Sequence, residues 1–255
     1  MNQIKYFDHA ATTAVDEQVL KEMLPYFSTK YGNPSSLYSI GRNSKKAIEE
    51  ARKRVAFIIN AKPKEIFFTG CGSESDNIAL KGVVYANRNK GNHIITTKIE
   101  HPAILNSCRS LEKDGFNITY LDVDKNGLIS LEDLKNKITT KTILISIMFA
   151  NNEIGTIEPI EEIGKIAREK NIIFHTDSVQ AIGNINIDVQ KMNIDLLSMS
   201  AHKFYGPKGV GALYIREGIQ CNKLQDGGHQ EKNMRAGTEN VAGIVGLRKS
   251  YSNCI

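Results

Sequence analysis

Short β-branched and aliphatic runs alternate along the chain with longer segments whose apolar residues recur at helical spacing. The short runs predict strands at 66–69, 93–97, 117–121, 142–148, 172–177, 195–200 and 211–215. Helix-length segments at 74–90, 102–115 and 159–170 lie between strands, and crossovers of that length make the strands they join parallel. Residues 201–210 are too short and too rich in Gly and Pro for such a crossover, so strand 211–215 is predicted to run antiparallel. Ahead of the first strand, 15–29 and 39–60 read as helices joined by the loop Gly32-Asn33-Pro34-Ser35-Ser36. The second helix carries an apolar stripe of Ile40, Ala47, Ile48, Ala51, Val55, Ile58 and Ile59. The whole pattern predicts an α/β fold: a seven-stranded, mostly parallel sheet flanked by helices.

Composition narrows the class. The 255-residue chain is 41% hydrophobic and 24% charged, enough for a substantial core and unlike a disordered or collagen-like sequence. Its net charge of +5 comes from scattered basic residues such as Lys45, Lys46, Arg52, Lys53 and Arg54, which read as a solvated face, not a nucleic-acid site. Four cysteines without C-x-x-C spacing fit neither a disulfide framework nor a zinc site, and favour a reducing compartment. The N-terminus has no apolar leader core and no run reaches the length of a membrane span, so a cytoplasmic location without membrane association is expected. The six histidines form no i,i+4 pair or Cys/His cluster, so no metal site is expected. Asp122-Val123-Asp124-Lys125-Asn126-Gly127 resembles the start of a calcium loop. Asp133 stands at its twelfth position and a strand precedes it, so an Asn126-Gly127 turn with a Ser130/Asp133 capping box is the better reading.

Candidate chemistry sits after predicted strands, where open α/β sheets bind ligands. Ser200-Ala201-His202-Lys203 puts a lysine just past one strand, and a desolvated lysine there forms a Schiff base with an aldehyde cofactor. Asp177 ends another strand; it either pairs with a pyridinium nitrogen or caps the following helix. Gln180, three residues on, bonds a cofactor hydroxyl or solvates a helix face. Thr69-Gly70-Cys71-Gly72-Ser73 turns a strand into a helix through glycines, either as a phosphate cradle with the Ser73 hydroxyl or as an ordinary capped turn. His101 precedes a helix as proton shuttle, ring-stacking group or cap. Asn151-Asn152-Glu153 supplies amides at the same sheet edge.

Taken in order, these residues resemble the cysteine desulfurases, pyridoxal-phosphate enzymes of the class V aminotransferase group. The resemblance runs from Tyr6 to about Gly246. It rests on Phe7-Asp8-His9-Ala10-Ala11-Thr12-Thr13, Gly32-Asn33-Pro34-Ser35-Ser36, Glu74-Ser75-Asp76-Asn77, Glu100-His101, Asn151-Asn152-Glu153-Ile154-Gly155, His202-Lys203, Tyr205-Gly206-Pro207-Lys208-Gly209 and Arg235-Ala236-Gly237-Thr238-Glu239-Asn240.

It implies that Lys203 binds pyridoxal 5'-phosphate covalently, Asp177 pairs with the ring nitrogen, and Gln180 and Asn152 lie near the phenolic oxygen and ring. His101 would stack on the ring and move protons. Gly72, Ser73, Ser200 and His202 would hold the phosphate, with Thr238 reaching across a homodimer interface. The implied reaction takes L-cysteine to L-alanine and passes sulfur to an iron–sulfur scaffold or other acceptor protein. The implied organisation is an N-terminal active-site segment at 1–14, a cofactor-binding large domain at 15–246 and a short tail at 247–255 that no longer resembles the family. Family members carry the persulfide cysteine well beyond the Arg235-Ala236-Gly237-Thr238 motif, so the chain is expected to be truncated, with most of the small C-terminal domain missing and sulfur transfer impaired. Cys71, Cys108, Cys221 and Cys254 match no catalytic position. An inactive or split cofactor-binding dimerisation module, or another class V lyase such as a selenocysteine lyase, are the alternatives.

Overall fold

A computed structural model describes residues 5–252. The first four residues of the expected N-terminal segment, and Cys254 with its neighbours in the expected tail, lie outside them. Seven strands form one sheet: β1 (Ile66–Thr69), β2 (His93–Thr97), β3 (Asn117–Leu121), β4 (Thr142–Ser146), β5 (Ile173–Asp177), β6 (Leu196–Ser200) and β7 (Gly211–Ile215). Their order is β1-β7-β6-β5-β4-β2-β3. The expected reversal is present. β7 runs antiparallel to both β6 and β1, and the other neighbouring pairs are parallel. Two antiparallel steps return β1 to the direction of β6, so β1, β2, β4, β5 and β6 all end at one edge.

Successive strand residues point to opposite faces, and each face has its own core. On β4, Ile145 joins one core and Leu144 the other; β7 divides Ala212 and Tyr214 from Leu213 and Ile215. The first face is covered by α3 (Ser39–Ile58), α7 (Leu131–Lys137), α8 (Ile160–Glu169) and α9 (Val241–Ser252). The second is covered by α6 (Pro102–Lys113) and a helical run at 72–86. That run, expected as one helix, is three pieces: α4 (Gly72–Asn77), a π-helical stretch Ile78–Gly82, and α5 (Val83–Ala86). Gly82 sits where a Cβ would lie 2.5 Å from Cys221 Sγ, so the wide turn accommodates a close crossing of the 221–222 backbone.

Several local expectations change. Segment 15–29 splits into α1 (Glu17–Met23) and α2 (Pro25–Ser28), because Pro25 has no N–H to continue the ladder. Ile40 is 41% exposed and stands outside the stripe of α3. Arg52, expected on the solvated face, is 3% exposed and paired with Glu231. The Asp122–Gly127 segment forms the expected turn. Asp124 Oδ1 accepts from Asn126 N at 2.8 Å and Leu128 N at 2.9 Å, Gly127 has φ +83°, and Ser130 caps α7 by accepting from Asp133 N. Helix α9 runs without a break through the boundary expected after Gly246, and Leu247 and Tyr251 are fully buried.

Candidate active site

The carboxyl ends of β1, β2, β4, β5 and β6 converge on a cavity of about 520 Å³. Gly72, Ser73, His101, Asn152, Asp177, Gln180, Ser200, His202 and Lys203 all line it. Thr238 does not; it is exposed in the loop between β7 and α9.

Lys203 closes a 3-10 turn, Ala201–Lys203, directly after the buried strand β6. The next residue, Phe204, is buried against Tyr251 with ring centroids 4.5 Å apart, which fixes the backbone under the lysine. Lys203 Nζ donates to the carbonyls of Ala10 and Ala11. Burial lowers its pKa, and the carboxylates of Asp177, Asp8 and Glu153 oppose the shift. The N-terminal segment is strapped over this end of the cavity. Thr13 N donates to His202 O at 2.9 Å, Thr12 Oγ1 and His202 Nδ1 are 3.1 Å apart, and Gln180 Nε2 donates to Ala10 O at 2.9 Å.

Asp177 is 6% exposed, and its Oδ1 accepts from Val179 N at 2.9 Å. No helix follows for it to cap: residues 179–184 form turns, the Val179 bond closes the first of them, and the side chain lines the cavity. Burial raises its pKa, while the Val179 N–H, His101 and Lys203 pull it down. His101 caps α6, with Nδ1 accepting from Ala103 N at 3.1 Å; a neutral ring in this arrangement carries its proton on Nε2. Asn151 builds the turn that presents Asn152: its Nδ2 donates to Ile99 O, and its Oδ1 accepts from Glu153 N and Ile154 N.

At the other end, α4 begins at Gly72 with an extended Cys71 and no side-chain cap, so its first N–H groups are free for an anion. A Cβ on Gly72 would lie 2.7 Å from Val179 Cγ2, so only glycine keeps this corner open. Ser200 Oγ is buried without a hydrogen-bond partner. Those free donors, that orphaned hydroxyl, the half-buried lysine and the buried carboxylate make a set that fits a phosphorylated, cationic-ring aldehyde.

Sequence reasoning missed the inner wall. Asp76 lines the cavity at 1% exposure, although the pattern offers no more than a polar stretch at a helix start. Its Oδ1 has no hydrogen-bond partner. Asp76, His101 and Asp177 bring their donor atoms within 4.8 Å of one another, the one such grouping among the described residues. Glu100, 4% exposed, accepts from Thr97 Oγ1 and Met148 N at 2.9 Å, and burial pushes its pKa up to about 8. His175 is fully buried between Ser146 and Ser198, and burial pulls its pKa down to about 3, so it is neutral.

A seven-stranded sheet with a lysine, a carboxylate and an anion cradle at its strand ends defines the architecture of a fold-type I pyridoxal-phosphate enzyme. The chain belongs to the aminotransferase class-V family, whose model matches residues 5–253 and so includes α9. That family is pyridoxal-phosphate dependent. The chain is 63% identical over 250 residues to the cysteine desulfurase IscS of Clostridium botulinum (strain Hall), covering 98% of this chain and 63% of that one. It is 59% identical to the cysteine desulfurase IscS of Methanosarcina thermophila, covering 98% of this chain and 62% of the relative. The chain thus spans less than two thirds of the length of these relatives. Among solved structures, a NifS-like protein superposes with TM-score 0.96 at 44% identity, covering 99% of this chain and 70% of the other. SspA in complex with cysteine superposes with TM-score 0.95, also at 44% identity, covering 98% and 72%.

Proposed function

We propose that this chain is the cofactor-binding body of a cysteine desulfurase acting on L-cysteine, with Lys203 as the cofactor's covalent anchor. The observation that carries the reading is the convergence of Lys203, Asp177, His101, Ser200 and the start of α4 on one cavity. Pyridoxal phosphate, when bound, supplies an electron sink that lowers the barrier to bond breaking beside its aldehyde carbon.

The residues divide the remaining work. Lys203 loses its proton more readily than an exposed lysine because burial disfavours the charged amine, and a neutral amine is the nucleophile that attachment requires. Asp177 would hold the ring nitrogen, and the phosphate would take the free N–H groups of Gly72 and Ser73, the Ser73 hydroxyl, the orphaned Ser200 hydroxyl and His202. Gln180 and Asn152 would reach the ring's edge, and His101 would move the proton on Nε2. The segment Asp8–Thr13, strapped to His202 and Gln180, limits water at the lysine. The thiols of buried Cys108 and half-buried Cys221 are pushed up to about 12 by desolvation, which makes them poor nucleophiles, and Cys71 stands at the anion end; none is assigned the sulfur-accepting role.

Thr238, exposed and outside the cavity, is assigned to the site of a second copy in a homodimer. This reading places the protein in the cytoplasm, handing sulfur to an iron–sulfur scaffold or other acceptor protein. No helix among the described residues is long and apolar enough to cross a membrane.

The test is the visible spectrum of the purified protein mixed with pyridoxal phosphate, beside Lys203→Ala. The expected result is a yellow band in the wild type that the variant lacks, and alanine formation from L-cysteine when an external thiol is added. A band without turnover would shift the reading to a binding module. No Lys203-dependent band in a folded protein would overturn it.

A further inference from the structure

Asp76 and Asp177 present two buried carboxyl groups to the same cavity wall, and only Asp177 has a role in the reading above. Asp76 comes from α4, Asp177 from the end of β5, and their oxygens lie within 4.8 Å of each other. Asp177 Oδ1 is satisfied by a backbone N–H, which favours its anionic form. Asp76 Oδ1 has no partner, although the residue is 1% exposed. A buried carboxylate oxygen without a donor is expensive, whereas a carboxylic acid there offers a donor of its own.

Burial and the neighbouring carboxyl groups oppose the ionisation of Asp76 and outweigh the one group that favours it, the Ser198 hydroxyl of β6, which hydrogen-bonds its side chain. Asp177 faces it from β5, and Glu100 contributes a further carboxyl from the turn before α6. His101 stands at the start of α6 in the same cluster, and Lys203 acts through Asp177. His175, 3.8 Å away at Nε2, is neutral and bonded to Ser198, so it brings no cation. On the helix's own outer side, Glu74 is paired with Arg235. Strands β6 and β7 bring no charged residue to the contact. Two close carboxyl groups in such a setting do not both ionise; one keeps a proton.

We propose that Asp76 is a positioning residue: it is the neutral, proton-holding member of the Asp76–Asp177 pair, and it leaves Asp177 as the sole anion for the cofactor ring. The inference rests on the assignment of Asp177 to the ring nitrogen. It gives the pair a division of labour: one fixed negative charge to match one positive ring, and one neutral donor beside it.

Two measurements decide it. The first uses the cofactor-free protein and compares thermal midpoints of the wild type and Asp76→Asn from about pH 5 to about pH 9. The folded form keeps a proton that the unfolded chain has released, so this group's contribution to stability is lost as pH rises from the ordinary carboxylate range through the raised folded value. Asparagine cannot titrate. The midpoint of the variant should therefore gain on the wild type with rising pH, and the slope from Glu158, which does not act on Asp76, cancels in the difference. A difference independent of pH overturns the proposal.

The second adds pyridoxal phosphate and reads affinity from the visible band. Asp177→Asn should weaken binding by at least about tenfold more than Asp76→Asn, because only the former removes the anion. The reverse order would make Asp76 the anionic partner and overturn the assignment. Should Asp76→Asn fail to fold, Asp76→Ser takes its place in both measurements. If the wild type gives no Lys203-dependent band, the functional reading fails, and the cofactor-free comparison still decides whether the Asp76–Asp177 pair keeps a proton.

Discussion

The buried ion pair between Arg52 and Glu231 ties α3 to the loop that carries Arg235 and Thr238, and its removal has a calculable consequence. Arg52 Nη1 and Nη2 donate to the two oxygens of Glu231 at 2.8 Å each, with side chains 4% and 2% exposed. Arg52 Nη1 also donates to Ile66 O, its guanidinium lies 4.9 Å from the Phe68 ring centroid, and Phe68 N donates to Glu231 Oε2. The pair holds a strained turn: Glu231, Lys232 and Asn233 have φ of 44°, 57° and 70°, a left-handed run of non-glycine residues that costs roughly 1–2 kcal/mol apiece. Arg52→Met leaves the Glu231 carboxylate buried and unpaired, a loss of about 3–5 kcal/mol. At roughly 2–4 °C per kcal/mol for a chain of this size, the thermal midpoint should fall by about 6–20 °C. Urea unfolding gives the free energy and a thermal scan the midpoint. The double variant Arg52→Met/Glu231→Met should recover much of the loss, held back by the about 1–3 kcal/mol of leaving Phe68 N unpaired. A loss below about 1 kcal/mol for Arg52→Met, the value of a surface pair, would refute the argument.

Glu100→Gln should flatten the fall in stability between about pH 5 and pH 8. The wild-type carboxyl, raised to about 8 by burial, contributes stability at low pH that is lost as pH rises through that value. Thermal midpoints across that range check it, and parallel curves for the two proteins would contradict it. Tyr251→Ala should cost about 3–5 kcal/mol, because the ring is fully buried against Phe204. Since Phe204 fixes the backbone beside Lys203, the same variant should also weaken pyridoxal phosphate binding, read from the visible band; unchanged affinity would mean that the lysine does not depend on that packing.

What was legible in the sequence is what local pattern determines. The central strands read true because they are buried on both faces, edge strand β3 read true on its β-branched and aromatic residues although it is mostly half-buried, and the reversal of β7 follows from a gap too short and too rich in Gly and Pro for a helix. Lys203, Asp177, His101 and Ser73 were visible as polar residues placed immediately after such runs, and parallel strands then bring their ends together. Residues whose meaning comes from a distant partner were not legible. Arg52 is spaced like a solvated helix residue and is buried because a carboxylate 179 positions away meets it. Asp76 sits in Glu74-Ser75-Asp76-Asn77, a stretch with the composition of an exposed first turn, yet Ser75 and Asp76 are 0% and 1% exposed.

That mismatch has a physical signature. A polar residue forced inward has to be satisfied, ionised against a partner, or kept neutral. Ser75 takes the first course through Thr69 and Ala212, and Arg52 the second through Glu231. With neither a donor for its Oδ1 nor a cation in contact, Asp76 is left with the third. The same burial that hides this residue from sequence patterns therefore fixes its protonation state, and with it the charge that the cavity wall presents.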